Sequence, residues 1–357
     1  MSIKEMISNI HSKWMEGTGP DSDVVISSRI RLARNLSGFP FPHFLSEEQA
    51  GQVFQAVRET VSKEEMVREI GPLEFIDLAE LTQTERQVLV EKHLVSLSHI
   101  ENPGNRAAVI APDESISIMV NEEDHLRIQC LQPGLQLEKT WNLADKIDDL
   151  LEKSLDYSFC EKRGYLTSCP TNVGTGLRAS VMVHLPCLVM ADQVSKIIRA
   201  ISQLGLAVRG YYGEGTEAYG NLFQVSNQVT MGQTEEEIVK NLLAVTKRII
   251  VQERTTKEKI FKDNRSFLED KVYRAFGIMK YARMMSSQEA LTNISDIRLG
   301  AELGILKDLS FGKINELIVL TRSAMLVEKA DRPLESEERD LFRAEVIREK
   351  LLEAGTN

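Results

Sequence analysis

The chain has 357 residues, 42% of them hydrophobic and 27% charged, and its 43 basic side chains face 53 acidic ones for a net charge of −10. That composition is ordinary for a globular protein, and the length suggests two domains or one large domain with an extension. The acidic balance argues against direct nucleic-acid binding, which needs a basic face, but suits a basic, arginine-rich partner. No apolar run approaches the roughly 18 residues of a membrane span, so no membrane association is expected. The start, MSIKEMISNIHSKWMEG, is amphipathic and carries acids, unlike a signal or transit peptide, and the cytoplasm is the expected location. Four cysteines, Cys130, Cys160, Cys169 and Cys187, form no C-x-x-C pair and have no histidine at zinc-ligand spacing. A disulfide framework or a structural metal site is therefore not expected.

In chain order, a helical segment over residues 1–20 leads into DVVISSRIRLARN. Period-two alternation predicts a strand with Val24, Ile26, Ile30 and Leu32 on one face and Arg29 and Arg31 on the other. Helical periodicity follows over residues 46–60 and 84–97. In HLRIQCL, Leu126, Ile128 and Cys130 share a face and Arg127 opposes them. A helix is predicted over 136–155, then the strand GLRASVMVHL, where Leu177, Ala179, Val181, Val183 and Leu185 oppose Arg178, Ser180, Met182 and His184. After a helix over 191–204, LAVRG sets Leu206 and Val208 against Arg209, and helical periodicity resumes over 234–258. Beyond about residue 262 the strand signal disappears. Apolar residues recur there at helical spacing, with breaks expected near Gly300–Gly304, Phe311–Gly312 and Asp331–Pro333. The expected organisation is the segment 1–20, a mixed α+β domain over 21–258 and an all-helical domain over 259–357.

Five arginines thus fall on the non-core faces of four predicted strands. They read either as solvated sheet positions or as one face built to hold a polyanion, since a guanidinium presents a rigid fork of donors to phosphate oxygens. No Walker A sequence and no protein-kinase motif set is present. VNEEDHLR places Glu122, Glu123 and Asp124 close to Arg127, either as a solvated turn or as part of a site. GYYGEGTEAYGN, residues 210–221, is a glycine-flanked loop with Glu214 and Glu217, of a kind that often acts as a lid. Cys169 on its own reads as a small core residue.

The stretches SSRIRLARN, VNEEDHLRIQ, SCPTNVGTGLRASVMVHLP and RGYYGEGTEAYGNLFQVSN occur in that order. Together they resemble the guanidino (phosphagen) kinase catalytic domain, with its segments S-T-R-V-R, N-E-E-D-H-L-R, C-P-S-N-L-G-T-G-L-R-A and R-G-T-R-G-E-x-T-E-A. The resemblance covers about residues 21–254 and implies an α+β fold, an antiparallel sheet flanked by helices. Phosphagen kinases carry a helical domain before the first arginine strand, and here only about twenty residues precede it. Tyr212 stands where they have an arginine, Gly215 where they have a histidine and Gln224 where they have an aspartate. This architecture, with its helical C-terminal domain, resembles the bacterial protein-arginine kinases.

The resemblance implies transfer of the γ-phosphate of ATP, with Mg2+, to arginine side chains of proteins. It implies clamping of the phosphates by Arg29, Arg31, Arg127, Arg178 and Arg209, with His93 at the nucleotide. The surrounding residues Ser27, Ser28, Ile30, Ala179, Ser180, Val181, Met182, Gly210, Tyr211, Tyr212, Gly213 and Glu214 belong to the implied ATP site. No metal-ligating protein residue is assigned. Glu123 and Glu214 would grip the acceptor guanidinium, Glu123 would take its proton, and Cys169 would sit beside it as a low-pKa thiolate. RDLFRA, residues 339–344, matches the family's R-D-x-x-R-A motif for phosphoarginine sensing. It implies an allosteric site of Arg339, Asp340, Arg343 and Ala344 on a helix that Ser336 could cap; on its own the stretch reads as a charged amphipathic helix. Implied partners are a stress-gene transcriptional repressor, unfolded proteins, the Clp ATPase/protease system, a zinc-finger-type activator and a second copy of the chain in a homodimer. A kinase of a small free guanidino compound and a non-catalytic phosphoarginine-binding adaptor are the alternatives.

Overall fold

Strand β1 (Val25–Arg34) sits near the middle of an eight-stranded antiparallel sheet in a computed structural model that describes residues 3–210 and 218–352. The other strands are β2 (Glu74–Asp77), β3 (Ala107–Ile110), β4 (Ile116–Val120), β5 (Leu126–Pro133), β8 (Leu177–His184), β9 (Leu206–Gly210) and β10 (Leu222–Asn227). Their order is β2-β3-β4-β5-β1-β8-β10-β9, and a separate hairpin pairs β6 (Phe159–Cys160) with β7 (Gly164–Tyr165). The α+β class is what the sequence pattern implied, and the antiparallel sheet is what the resemblance implied.

One face of the sheet carries Ile30, Leu32, Ile128, Ala179, Val181 and Val225 into a core closed by helices Glu47–Val61, Leu137–Glu152 and Glu235–Asp263. Each fully buried aliphatic side chain there contributes about 1.5–3 kcal/mol. Capping boxes at Ser46/Gln49 and Thr234/Glu237 start the first and last of these helices close to the expected positions.

The second face is divided. Part of it, including Ile26, Leu131 and Met182, is covered by Trp14 and Met15 of the N-terminal segment and by Ile314, Leu317 and Ile318 of the C-terminal helices. The remainder carries the arginines. Ile26 was expected beside Val24 on the core face, but the pairing of β1 with β8 skips a residue between Val25 and Ser27. This bulge keeps Val24 and Val25 in the first core and turns Ile26 into the second.

The helix expected over 84–97 ends at Glu91. Lys92 is fully buried and donates to the carbonyls of Met6 and Asn9, both at 2.8 Å, while pairing with buried Glu114. His93 follows with φ of 65°, which stops the helix and turns its ring toward Trp14, 5.1 Å away. The lysine thus ties down the N-terminal segment, and the strained residue after it faces the sheet.

The C-terminal region consists of helices Arg265–Tyr281, Ser287–Glu302, Phe311–Leu320, Ser323–Ala330 and Ser336–Leu352. Phe311–Gly312, expected as a break, instead begins a helix capped by Ser310, and Gly312 packs so closely that a Cβ there would meet the Glu16 carbonyl at 2.9 Å. Ser336 is the first residue of its helix rather than its cap, and the Glu335 amide donates to Glu338 Oε2 at 2.8 Å instead. His184, at the end of β8, fastens the region to the sheet: Nδ1 lies 2.9 Å from Glu302 Oε1 and Nε2 2.8 Å from Ser295 Oγ. Among the described residues no helix is long and apolar enough to cross a membrane.

Candidate active site

Antiparallel register puts all five arginines on one face. Arg31 stands opposite Arg178 on β8, Arg29 opposite Ser180, and Arg127 on β5 opposite Ala33. Arg209 joins them across β10 through its pairing with Gln224. Like charges set directly opposite repel, so the arrangement costs stability until an anion lies among them. Burial first, then the charges of Arg29, Arg127 and Arg178, push the Arg31 pKa well down, and its buried Nε has no hydrogen-bond partner. Burial and then Arg209, Arg29 and Arg127 act on Arg178 in the same direction, with Cys169 opposing them. An arginine keeps its proton, so these directions describe electrostatic stress that a polyanion would relieve.

The three consecutive acids of the VNEED turn have different fates. Glu122 is buried, accepts from Ser96 Oγ at 2.7 Å and Ser98 Oγ at 2.6 Å, and pairs with Arg127 at 2.8 Å. Burial opposes its charge, but Arg127 and the two hydroxyls outweigh that and hold its pKa at about 2. Glu123 is exposed and receives Arg127 Nη2 at 2.7 Å. Asp124 is fully buried and accepts from Asn35 Nδ2 at 2.6 Å and from the Ser168 amide at 2.7 Å. It therefore anchors the cysteine segment to the end of β1 and to the acidic turn.

Cys169 is half-buried, with Sγ 2.9 Å from Thr171 Oγ1. A cleft of about 200 Å³ brings Cys169 together with Glu123, Arg31, Arg127 and Arg178. The glycines before β8 make this approach possible. A Cβ on Gly174 (φ 113°) would lie 2.2 Å from the Thr230 carbonyl, and one on Gly176 (φ 65°) would lie 2.6 Å from the Ala33 carbonyl. Both positions need glycine.

Further along β1 on the same face, Arg29 donates to Gln224 Oε1 at 2.7 Å and Ser180 Oγ at 3.3 Å. A small hollow there is lined by Ser27, Met182, Trp14 and His93. Burial first, and then Arg29 and Arg322, lower the His93 pKa to about 3, so its ring is neutral. Four expected site residues have side chains elsewhere. Ile30, Ala179 and Val181 point into the opposite core, and Ser28 Oγ donates to the Gly134 carbonyl at 2.8 Å. Gly210 ends β9 beside Arg209, while Tyr211, Tyr212, Gly213, Glu214, Gly215 and Glu217 lie outside the described residues.

Arg34 was not singled out from the sequence, although it ends the same arginine-rich stretch. It is buried on the core side, donates to Asp148 at 2.6 Å and to the Thr175 carbonyl at 3.0 Å, and lies 3.5 Å over the Tyr165 ring. It clamps β1 to the turn that carries Cys169. Its conspicuous signal was an arginine in a core-facing register, where only a paired charge is tolerated.

At the RDLFRA stretch, Arg343 is 2% exposed and donates to the carbonyls of Thr321 and Met285, both at 2.8 Å, while also pairing with Asp340. Arg339 donates to the Leu334 carbonyl at 2.9 Å, and Ala344 is buried. Asp340 thus meets a guanidinium of its own helix.

Residues 52–256 match the family of the ATP:guanido phosphotransferase C-terminal catalytic domain, and residues 265–357 match the protein-arginine kinase McsB C-terminal domain. The chain is 55% identical over 351 residues to a protein-arginine kinase of Desulforamulus reducens, covering 98% of each chain. It is 52% identical over 348 residues to one from Pelotomaculum thermopropionicum, again covering 98% of each. Among solved structures, a lombricine kinase aligns with a TM-score of 0.60 at 24% identity, covering 68% of this chain and 70% of that one, which reports the fold alone. The duplicated taurocyamine kinase of Schistosoma mansoni, solved with transition-state-analogue components, aligns with a TM-score of 0.60 at 25% identity, covering 67% of this chain and 34% of that one.

Proposed function

The chain belongs to the protein-arginine kinase family, and from that premise we propose how its cleft transfers the γ-phosphate of ATP to arginine side chains of proteins. The observation that carries this reading is the meeting of Glu123, Cys169, Arg31, Arg127 and Arg178 in one cleft on the arginine face.

Phosphoryl transfer demands positioning and charge stabilisation more than covalent help from the protein. The guanidinium forks of Arg29, Arg31, Arg127, Arg178 and Arg209 bind the phosphates, with neutral His93 and the hollow beside Arg29 at the nucleotide. Among the described residues no cluster of three or more metal-ligating side chains exists. Glu122 and Glu123 are already paired with Arg127, so Mg2+ would be held chiefly by the phosphates. Bound there, the ion supplies neutralisation of phosphate charge.

A guanidinium with pKa above about 12 is not a nucleophile until it loses a proton. Glu123 engages Arg127 through Oε2, leaving Oε1 for the acceptor. The substrate nitrogen bonds to the γ-phosphorus, the bond from phosphorus to the ADP oxygen breaks, and the nitrogen's proton passes to Glu123. Glu214 supplies a second carboxylate, and Cys169 lies beside the same guanidinium.

The partition into residues 1–20, 21–258 and 259–357 assigns catalysis to the middle part. The last part carries a second, phosphoarginine-sensing site at Arg339, Asp340, Arg343 and Ala344. There Arg339 and Arg343 would meet the phosphate, and Asp340, released from Arg343, the guanidinium. The enzyme works in the bacterial cytoplasm as a homodimer on a stress-gene repressor and on unfolded proteins, with a zinc-finger-type activator, and hands products to the Clp protease system. Incubation with ATP, free arginine and an arginine-rich protein together tests the acceptor class. Phosphate on the protein is expected, and phosphate on free arginine alone would reject it.

A further inference from the structure

A second groove, of about 350 Å³, adjoins the catalytic cleft and shares Glu123 with it. Its walls come from the loop before helix Glu47–Val61 and from the turn around Asn102–Arg106. Three features set its chemistry. Asn121, 5% exposed in its wall, commits both amide hydrogens to the carbonyls of Ala50 and Asn105, at 3.0 and 2.9 Å, while its Oδ1 has no partner. Such an acceptor suits a peptide N–H, because a buried polar atom left unpaired is costly. His43 lines the groove, its ring tilted 47° and 4.1 Å from that of neighbouring Phe44, which is 71% exposed, so an aromatic ledge stands in water beside it. Three carboxylates, Glu47, Glu122 and Glu123, line the groove against one guanidinium among the described residues, Arg106, so the entrance is acidic.

We propose that this groove seats the polypeptide flanking the target arginine, so that the acceptor is recognised as part of a chain and not as a free guanidine. The inference rests on the reading of the cleft as a kinase of protein arginines. Continuity at Glu123 is what selects the occupant. A chain whose arginine lies at Glu123 must leave the cleft on some side, and this groove offers it an unpaired acceptor, an apolar ledge and an acidic entrance. A free amino acid would fill the cleft and touch none of these.

Two opposite alterations test it. Joint His43→Ala and Phe44→Ala replacement removes the ledge. Gly104→Leu fills the groove, since a Cβ at Gly104 meets nothing within 4 Å. For each, steady-state kinetics are measured with an arginine-bearing unfolded polypeptide, and ATP affinity is measured separately by direct binding. The expected result is a KM for the polypeptide raised about tenfold in each variant, a loss of the size that one apolar contact supplies, with kcat and ATP affinity near wild type. Unchanged KM in both variants, while the wild type labels the polypeptide, would overturn the groove and leave the kinase reading standing. An equal loss of ATP affinity would also overturn it, because the groove does not reach the hollow beside Arg29. A wild-type enzyme that phosphorylates free arginine and no polypeptide would reject the kinase reading itself, and the groove with it.

Discussion

Arg31 on β1 and Arg178 on β8 stand directly opposite each other in the antiparallel register, two guanidiniums on adjacent strands with a third, Arg127, lining the same cleft. On the proposed reading, a bound polyanion relieves this repulsion. Arg31→Gln should therefore separate stability from function. Without nucleotide, the variant should unfold at or above the wild-type denaturant midpoint, gaining up to about 1 kcal/mol from the relieved like-charge contact. Its ATP affinity should fall tenfold or more, through loss of a charge-assisted contact. Calorimetric titration with ATP, alongside urea unfolding, measures both.

Glu122 sets the second expectation, a pH dependence. Its folded-state pKa of about 2 lies below the ordinary value of 4.5, so its charge stabilises the fold above pH 4.5. That contribution is lost as pH falls from about 4.5 toward 2. Glu122→Gln should cost about 3 kcal/mol at pH 7, the order that such a depression implies. In urea unfolding, the gap between variant and wild type should be nearly the same at pH 7 and 4.5 and clearly smaller at pH 3.

The carboxylate proposed as base and the neighbouring thiol should behave differently from Glu122. Glu123 is exposed and Cys169 half-buried, so Glu123→Gln and Cys169→Ala should leave thermal unfolding near wild type. Activity should fall about 10²-fold or more in kcat, and furthest for Glu123→Gln, which loses proton removal as well as orientation. Near-normal turnover by the Glu123→Gln enzyme would remove that residue from the role.

Much of this arrangement was legible in the chain. Period-two alternation placed Arg29, Arg31, Arg127, Arg178 and Arg209 on non-core faces, and pairing gathers those faces into one. What alternation cannot register is an inserted residue: the bulge at Ile26 reversed its face, because a two-residue period has no memory across a skipped position. Helical periodicity also ran past Glu91, since nothing local reveals that Lys92 is neutralised by Glu114, 22 positions away. The same limit hid the ties that shape the cleft. Arg34 meets Asp148 across 114 positions, and Asp124 meets Ser168 across 44. The acidic triplet looked uniform as a string, and only its surroundings sort Glu122 and Asp124 into anchors and Glu123 into the exposed acid.

The most direct test of the account is the chemical nature of the product. The purified enzyme is incubated with ATP and an arginine-containing protein, and the phosphorylated sites are located by mass spectrometry under non-acidic conditions. The account predicts phosphate on arginine side chains, in a P–N bond that a brief acid treatment removes. Phosphate confined to serine, threonine or tyrosine and stable to acid would contradict it.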